Sequence, residues 1–175
     1  MSDANSIDTA LQQQLASLKL LVLDVDGVLT DGKFSLDHEG RETKTFNTQD
    51  GYGIRRLLDS GVVVAIITGR SSGAVTHRAK ELSIPFVIQG ARDKATAIRE
   101  LLDANQIQPT NAAAMGDDVP DLDMFRAVAL PIAVANAVPE VKREAVVVTD
   151  RRGGDGAVRE IADLILSCRE SVSTP

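Results

Sequence analysis

Six short apolar runs, each followed by a stretch with apolar residues at helical spacing, constrain this chain more than any single residue does. The runs lie at 19–25, 61–69, 85–90, 111–118, 127–134 and 144–150. The first, "KLLVLDV", is apolar on both faces, the pattern of a central parallel strand covered by helices on each side. "GVVVAIITG" repeats it, whereas "NAAAMGDD" and "AVALPIAV" read as weaker strands because of their alanines and proline. Strands alternating with helices at this spacing predict an α/β fold with a doubly wound parallel sheet. Right-handed crossovers then place helices on both faces.

One segment breaks the alternation. Residues 32–51, "GKFSLDHEGRETKTFNTQDG", carry two short alternating pieces around a turn composition, which predicts a β-hairpin directly after the first strand. The expected organisation is an N-terminal helical extension over 1–18, one domain over 19–167 and a flexible tail over 168–175 ending in the small, polar "SVSTP". With 175 residues the chain can bury a core without staples, and with aromatics at only 3% that core has to be aliphatic. A formal charge of −6 argues against a nucleic-acid surface but not against a small anionic substrate, which needs only a few local cations. The first 19 residues lack a basic stretch followed by an apolar one, no apolar run reaches the length of a membrane span, and Cys168 is a lone cysteine. Together these give a cytoplasmic expectation.

The chemistry gathers where strands end. In a parallel sheet the carboxyl ends of the strands share one edge, the edge at which open α/β sheets bind ligands. "DVDG" puts Asp24 and Asp26 there, one residue apart. Two close carboxylates in a partly buried crevice repel each other unless a cation or proton intervenes, and magnesium is the hard cation suited to them. "ITGR" adds the Thr68 hydroxyl and the Gly69 amide, "GDDVPD" adds Asp117, Asp118 and Asp121, and Lys94 heads a helix. A carboxylate nucleophile, a second carboxyl for proton transfer, a hydroxyl, a lysine and a metal are what phosphoryl transfer through an aspartyl phosphate requires.

"DVDGVLT", "TGR", a lysine heading a helix and "GDDVPD", in this order, resemble the haloacid dehalogenase superfamily of phosphatases. The resemblance implies that Asp24 is the nucleophile and that Asp26 protonates the leaving alcohol and then activates water. It implies that Thr68 and Lys94 hold the phosphoryl oxygens. It also implies that magnesium is bound by Asp24, the Asp26 carbonyl and Asp117, with Asp118 in support. The intervals between motifs leave no room for a cap domain, and "KTFNTQDGYGIRRLL" and "GGDGAVREI" are similar to the capless branch acting on an eight-carbon sugar acid phosphate. That branch implies a homotetramer with the hairpins at its centre, each active site being closed by a neighbouring subunit. It implies substrate contacts at Asp26, Asn47, Thr48, Gln49, Asp50, Gly51, Arg55, Gly69, Arg70, Arg78 and Lys94. Thr48 and Gln49 stand where the branch has a small apolar and a basic residue. A nine-carbon sugar acid phosphate and a catalytically idle tetrameric scaffold are the competing readings.

Plainer roles exist for several of these residues. Asp117 or Asp118 suits a helix cap, Asp121 suits the first helical turn, Arg78 can pair with Glu81, and "RRGGDG" at 151–156 reads as a flexible connection. His38 and His77 have no partner at metal-ligand spacing.

Overall fold

In a computed structural model, which describes residues 8–173, the six runs form one parallel sheet. Its strands are β1 (Leu20–Leu23), β4 (Val63–Ile67), β5 (Phe86–Ile88), β6 (Ala112–Gly116), β7 (Leu130–Ala133) and β8 (Val147–Val148), in the order β5-β4-β1-β6-β7-β8. The hairpin β2 (Ser35–Leu36) with β3 (Glu42–Thr43) is a separate antiparallel ribbon. The helices are α1 (Thr9–Ala16), α2 (Thr48–Asp59), α3 (Gly73–Leu82), α4 (Lys94–Ala104), α5 (Leu122–Phe125), α6 (Pro139–Glu144) and α7 (Ala157–Ser173). Helix α7 packs on α1 and α2, and α2 on α3, forming one layer; α4, α5 and α6 form the other. The doubly wound parallel sheet is therefore present, with no cap domain among the described residues.

All four residues of β1 are buried, as a strand covered on both faces requires. The alanines of β6 do not weaken it in place. It lies between β1 and β7 with every residue buried, and small side chains let both helical layers approach. Pro131 is tolerated because its carbonyl accepts from Val146 on the β8 side, so its missing N–H faces the same side, just before the two-residue edge strand begins.

The tail expected to be flexible from 168 is helical through Ser173. Cys168 is buried there, and Arg169 donates to the carbonyls of Leu18 and Ser60. Residues 174–175 of that tail, and 1–7 of the N-terminal extension, lie outside the described residues. Within the extension, Leu15 joins the hydrophobic core.

The chain runs from β1 outward through β4 and β5, then crosses to β6 on the other side of β1. This switch point opens a crevice at the carboxyl edge beside β1.

Candidate active site

Register decides which side chains meet. Leu23 pairs with Ile66 on one side and Met115 on the other, so β1, β4 and β6 end nearly level. Asp24 follows β1, Thr68 follows β4 and Asp117 follows β6. After Asp24 the chain winds through a tight turn, Val25–Leu29, in which Gly27 takes φ +100°. Two constraints demand glycine here: the left-handed backbone, and the Asp117 carboxylate, whose Oδ2 would lie 2.0 Å from an added Cβ. The Thr30 hydroxyl secures the turn, accepting from the N–H groups of Gly27 (3.4 Å) and Gly32 (3.2 Å).

The crevice has a volume of about 340 Å³ and is lined by Asp24, Asp26, Thr68, Gly69, Arg70, Lys94, Asp117 and Asp121 among others. Lys94, buried at the head of α4, donates to Asp24 at 2.7 Å and to Asp121 at 2.6 Å. Asp121 is 2% exposed. Its other oxygen accepts from the backbone N–H of Asp117 (2.9 Å) and of Asp118 (3.3 Å). Burial, followed by the charge of Asp121, pushes the Asp24 carboxyl up to about 7 despite the nearby Lys94. Burial, with Asp121 and then Asp24 adding to it, likewise carries Asp117 to about 7. The two carboxylates that Lys94 touches raise its own pKa against its burial, so it stays charged.

These carboxylates fit a hard divalent cation. Oxygens of Asp24, Asp117 and Asp121 lie within 4.8 Å of one another, and their repulsion is the kind a cation removes. Lys94 is shared between Asp24 and Asp121, and two backbone amides engage Asp121 besides. The capping role is filled by Asp118, which accepts from Val119 N–H at 2.8 Å, leaving Asp117 directed toward the Gly27 turn.

Asp26 lies in a second charged group at the root of the hairpin. Lys44 forms an ion pair with Asp26 and lies 3.3 Å from Glu42; its side chain is fully buried. Arg70 binds Glu42 at 2.5 Å, approaches Asp26 at 3.8 Å and covers the Phe34 ring at 4.2 Å. The hydrogen bond from Arg70 holds Glu42 down at about 2. The hairpin is thereby tied to the acid/base candidate by charge as well as by sequence.

The other expected substrate contacts do not line this crevice within one chain. Asn47 caps α2 through Gln49 N–H (2.7 Å) and donates to the Gly154 carbonyl. Thr48 and Gln49 are exposed at the same helix end, where Gln49 accepts from Arg151. Asp50 is 1% exposed and accepts from the N–H groups of Gly156 and Arg159 at the start of α7. Arg55 donates to the Leu82 carbonyl and pairs with Asp59. Arg78 pairs with Glu81 and donates to the Asn47 carbonyl; Gly51 leaves it room, since a Cβ there would lie 2.3 Å from the guanidinium.

The 151–156 segment is not a loose connection. Gly154 N–H donates to Val28 at 3.0 Å, and a Cβ on Gly153 would lie 1.7 Å from the Gly27 carbonyl oxygen. Sequence reasoning also passed over Glu42 in β3 and Lys44 just after it, which no motif marks, and left Asp121 open between a place in the site and the first helical turn.

The chain is similar to known proteins over most of its length. A model of the haloacid dehalogenase-like hydrolase family matches residues 86–161. The chain is 43% identical over 179 aligned residues to 3-deoxy-D-manno-octulosonate 8-phosphate phosphatase KdsC of Yersinia pestis, covering 98% of this chain and 96% of that one. It is 46% identical over 150 residues to KdsC of Escherichia coli K12, covering 86% and 80%. Among solved structures it is similar to the Moraxella catarrhalis phosphatase in complex with magnesium, phosphate and KDO. That match has a TM-score of 0.91 and 42% identity, covering 94% of this chain and 95% of that one.

Proposed function

The chain belongs to the 3-deoxy-D-manno-octulosonate 8-phosphate phosphatases, within the haloacid dehalogenase-like hydrolases, and we propose from that premise how its crevice removes phosphate. It is a magnesium-dependent phosphomonoesterase that converts this eight-carbon sugar acid phosphate to the free sugar acid and phosphate, a step of lipopolysaccharide precursor synthesis. The observation that carries the reading is the meeting of Asp24, Asp26, Thr68, Lys94 and Asp117 at one sheet edge.

Each group has a task its position suits. An Asp24 oxygen attacks phosphorus, forming an aspartyl phosphate as the bond from phosphorus to the sugar oxygen breaks. Asp26 gives its proton to that departing oxygen, then takes one from the water that hydrolyses the aspartyl phosphate. The Thr68 hydroxyl, the Gly69 N–H and Lys94 hold the phosphoryl oxygens as their charge shifts. Asp24, Asp117 and the Asp26 carbonyl would hold magnesium, which supplies positive charge against the phosphoryl group and the clustered carboxylates. Arg70 offers a guanidinium at the mouth of the crevice for the sugar's carboxylate.

A homotetramer completes the site. The hairpin stands off the main sheet with Phe34 and Leu36 43% and 60% exposed, apolar surface suited to packing against copies of itself. A neighbouring subunit then presents the exposed Thr48 and Gln49 at the α2 start, held by Asn47, Asp50 and Gly51 with Arg55 and Arg78 behind them, to the outer part of the sugar. No helix among the described residues is long and apolar enough to cross a membrane, and the lone cysteine suits the cytoplasm.

The test is phosphate release by the purified protein, with and without magnesium, on eight-carbon and nine-carbon sugar acid phosphates and common hexose phosphates. A magnesium-dependent preference for the eight-carbon acid, lost in a folded Asp24→Asn variant, is expected. Equal slow rates on every substrate would remove the named substrate, and no release at all would favour the idle scaffold.

A further inference from the structure

The nucleophile turn and the Asp117 segment are both held from behind by one short connection, residues 134–138, between β7 and α6. The Asn136 side chain spans two elements that are far apart in sequence. Its Nδ2 donates to the Gly27 carbonyl at 3.1 Å, and its Oδ1 accepts from Gly153 N–H at 2.6 Å. Two residues on, Val138 N–H donates to the Asp117 carbonyl at 2.8 Å. The connection is itself fixed: Ala137 N–H bonds Val134, Ala135 N–H bonds the Thr149 hydroxyl at 3.1 Å, and Lys142 caps the Ala135 carbonyl at 2.6 Å.

Gly27 is where rotation of the backbone would redirect Asp26. Its φ of +100° is open to glycine in several neighbouring conformations, so steric exclusion alone does not fix its carbonyl. The Asn136 amide does so by a hydrogen bond, and Gly153 closes the remaining space against the same carbonyl.

We propose that Asn136 is a positioning residue, one that sets the Asp26–Gly27 turn at its working distance from Asp117 without touching substrate. This rests on the reading of Asp24, Asp26 and Asp117 as a magnesium phosphatase site. Groups that orient a metal site from behind are worth ten- to a hundredfold in affinity or rate, and small displacements of a reacting group cost comparably. Asn136→Ala should therefore lower kcat about tenfold or more while KM moves less than threefold, and should weaken magnesium binding about tenfold.

The experiment uses the full chain. Magnesium binding is measured by titration calorimetry, kcat and KM by phosphate release, and the melting temperature by circular dichroism, for wild type, Asn136→Ala and Asn136→Asp. The aspartate keeps the acceptor for Gly153 but loses the donor to Gly27, so it should be impaired in both rate and magnesium binding like the alanine variant. Wild-type kcat and magnesium affinity in Asn136→Ala would overturn the proposal. So would a loss in only one of the two, since the turn and Asp117 would then not be coupled, or recovery of both in Asn136→Asp. If neither variant folds, Asn136 is a folding residue and the proposal is equally overturned. Failure of the wild type to bind magnesium or release phosphate would instead strike the phosphatase reading.

Discussion

Removing the Asp121 carboxylate tests whether this residue organises the site. It is 2% exposed and receives three hydrogen bonds, from Lys94 at 2.6 Å and from the backbone of Asp117 and Asp118 at 2.9 and 3.3 Å. Breaking a buried ion pair by deleting one partner costs about 3–5 kcal/mol. Asp121 also repels Asp24 and Asp117, although in both cases burial raises the pKa more than Asp121 does. Relief of that repulsion offsets on the order of 1 kcal/mol. The balance for Asp121→Ala is a loss of about 3 kcal/mol, which for a chain of this length lowers the melting temperature by about 9 °C. Both variants leave Lys94 paired with Asp24, but Asp121→Asn keeps an oxygen for the two backbone amides, so its loss should be about a third as large. Thermal melts in the presence of a chelator read both numbers. If Asp121→Ala melted within about 2 °C of wild type, or if the asparagine variant were the less stable one, the reasoning would fail.

Two further predictions follow from the carboxylates and the hairpin. In a chelator, Asp24 and Asp117 carry pKa values of about 7, above the ordinary carboxylate value near 4. The folded form then binds more protons than the unfolded one between those limits. Stability should rise as pH is lowered from about 7.5 to 5.5. Saturating magnesium should flatten that slope, and a slope of the opposite sign in the chelator would contradict the electrostatics of the site. Leu36→Asp places a charge on the exposed apolar ribbon and should shift the protein to smaller species in light scattering, at similar melting temperature; an unchanged mass would show that the ribbon does not bind copies of itself.

What could be read in the sequence was what a few neighbouring residues encode. The apolar runs and helical spacings give the sheet and its helices, because burial on two faces leaves a local pattern. The strand-end motifs give Asp24, Thr68, Lys94 and Asp117 for a related reason: once parallel strands pair in register, the residues that follow them emerge together. Lys44 was not legible, since nothing in "ETKTF" distinguishes a buried partner of Asp26 from a solvent-facing lysine. Asp121 was visible in "GDDVPD" but ambiguous, because a helix-turn carboxylate and an ion-pair partner of Lys94 have the same local signature.

The segment from 151 to 156 shows where local reading fails for a physical reason. Two arginines, three glycines and an aspartate have the composition of a mobile connection, and in water such a peptide would have no preferred structure. Much of its order comes from contacts more than a hundred residues away: the Gly27–Asp31 turn beneath Gly153 and Gly154, and Asp50 and Asn47 at the start of α2. Glycine here permits close approach of two backbones, a use that composition cannot separate from flexibility. Through Asp50, Asn47 and Asn136 the same segment links the α2 start to the Gly27 turn. Displacement of the α2 start would thus be felt by backbone that is hydrogen-bonded to the turn carrying Asp26.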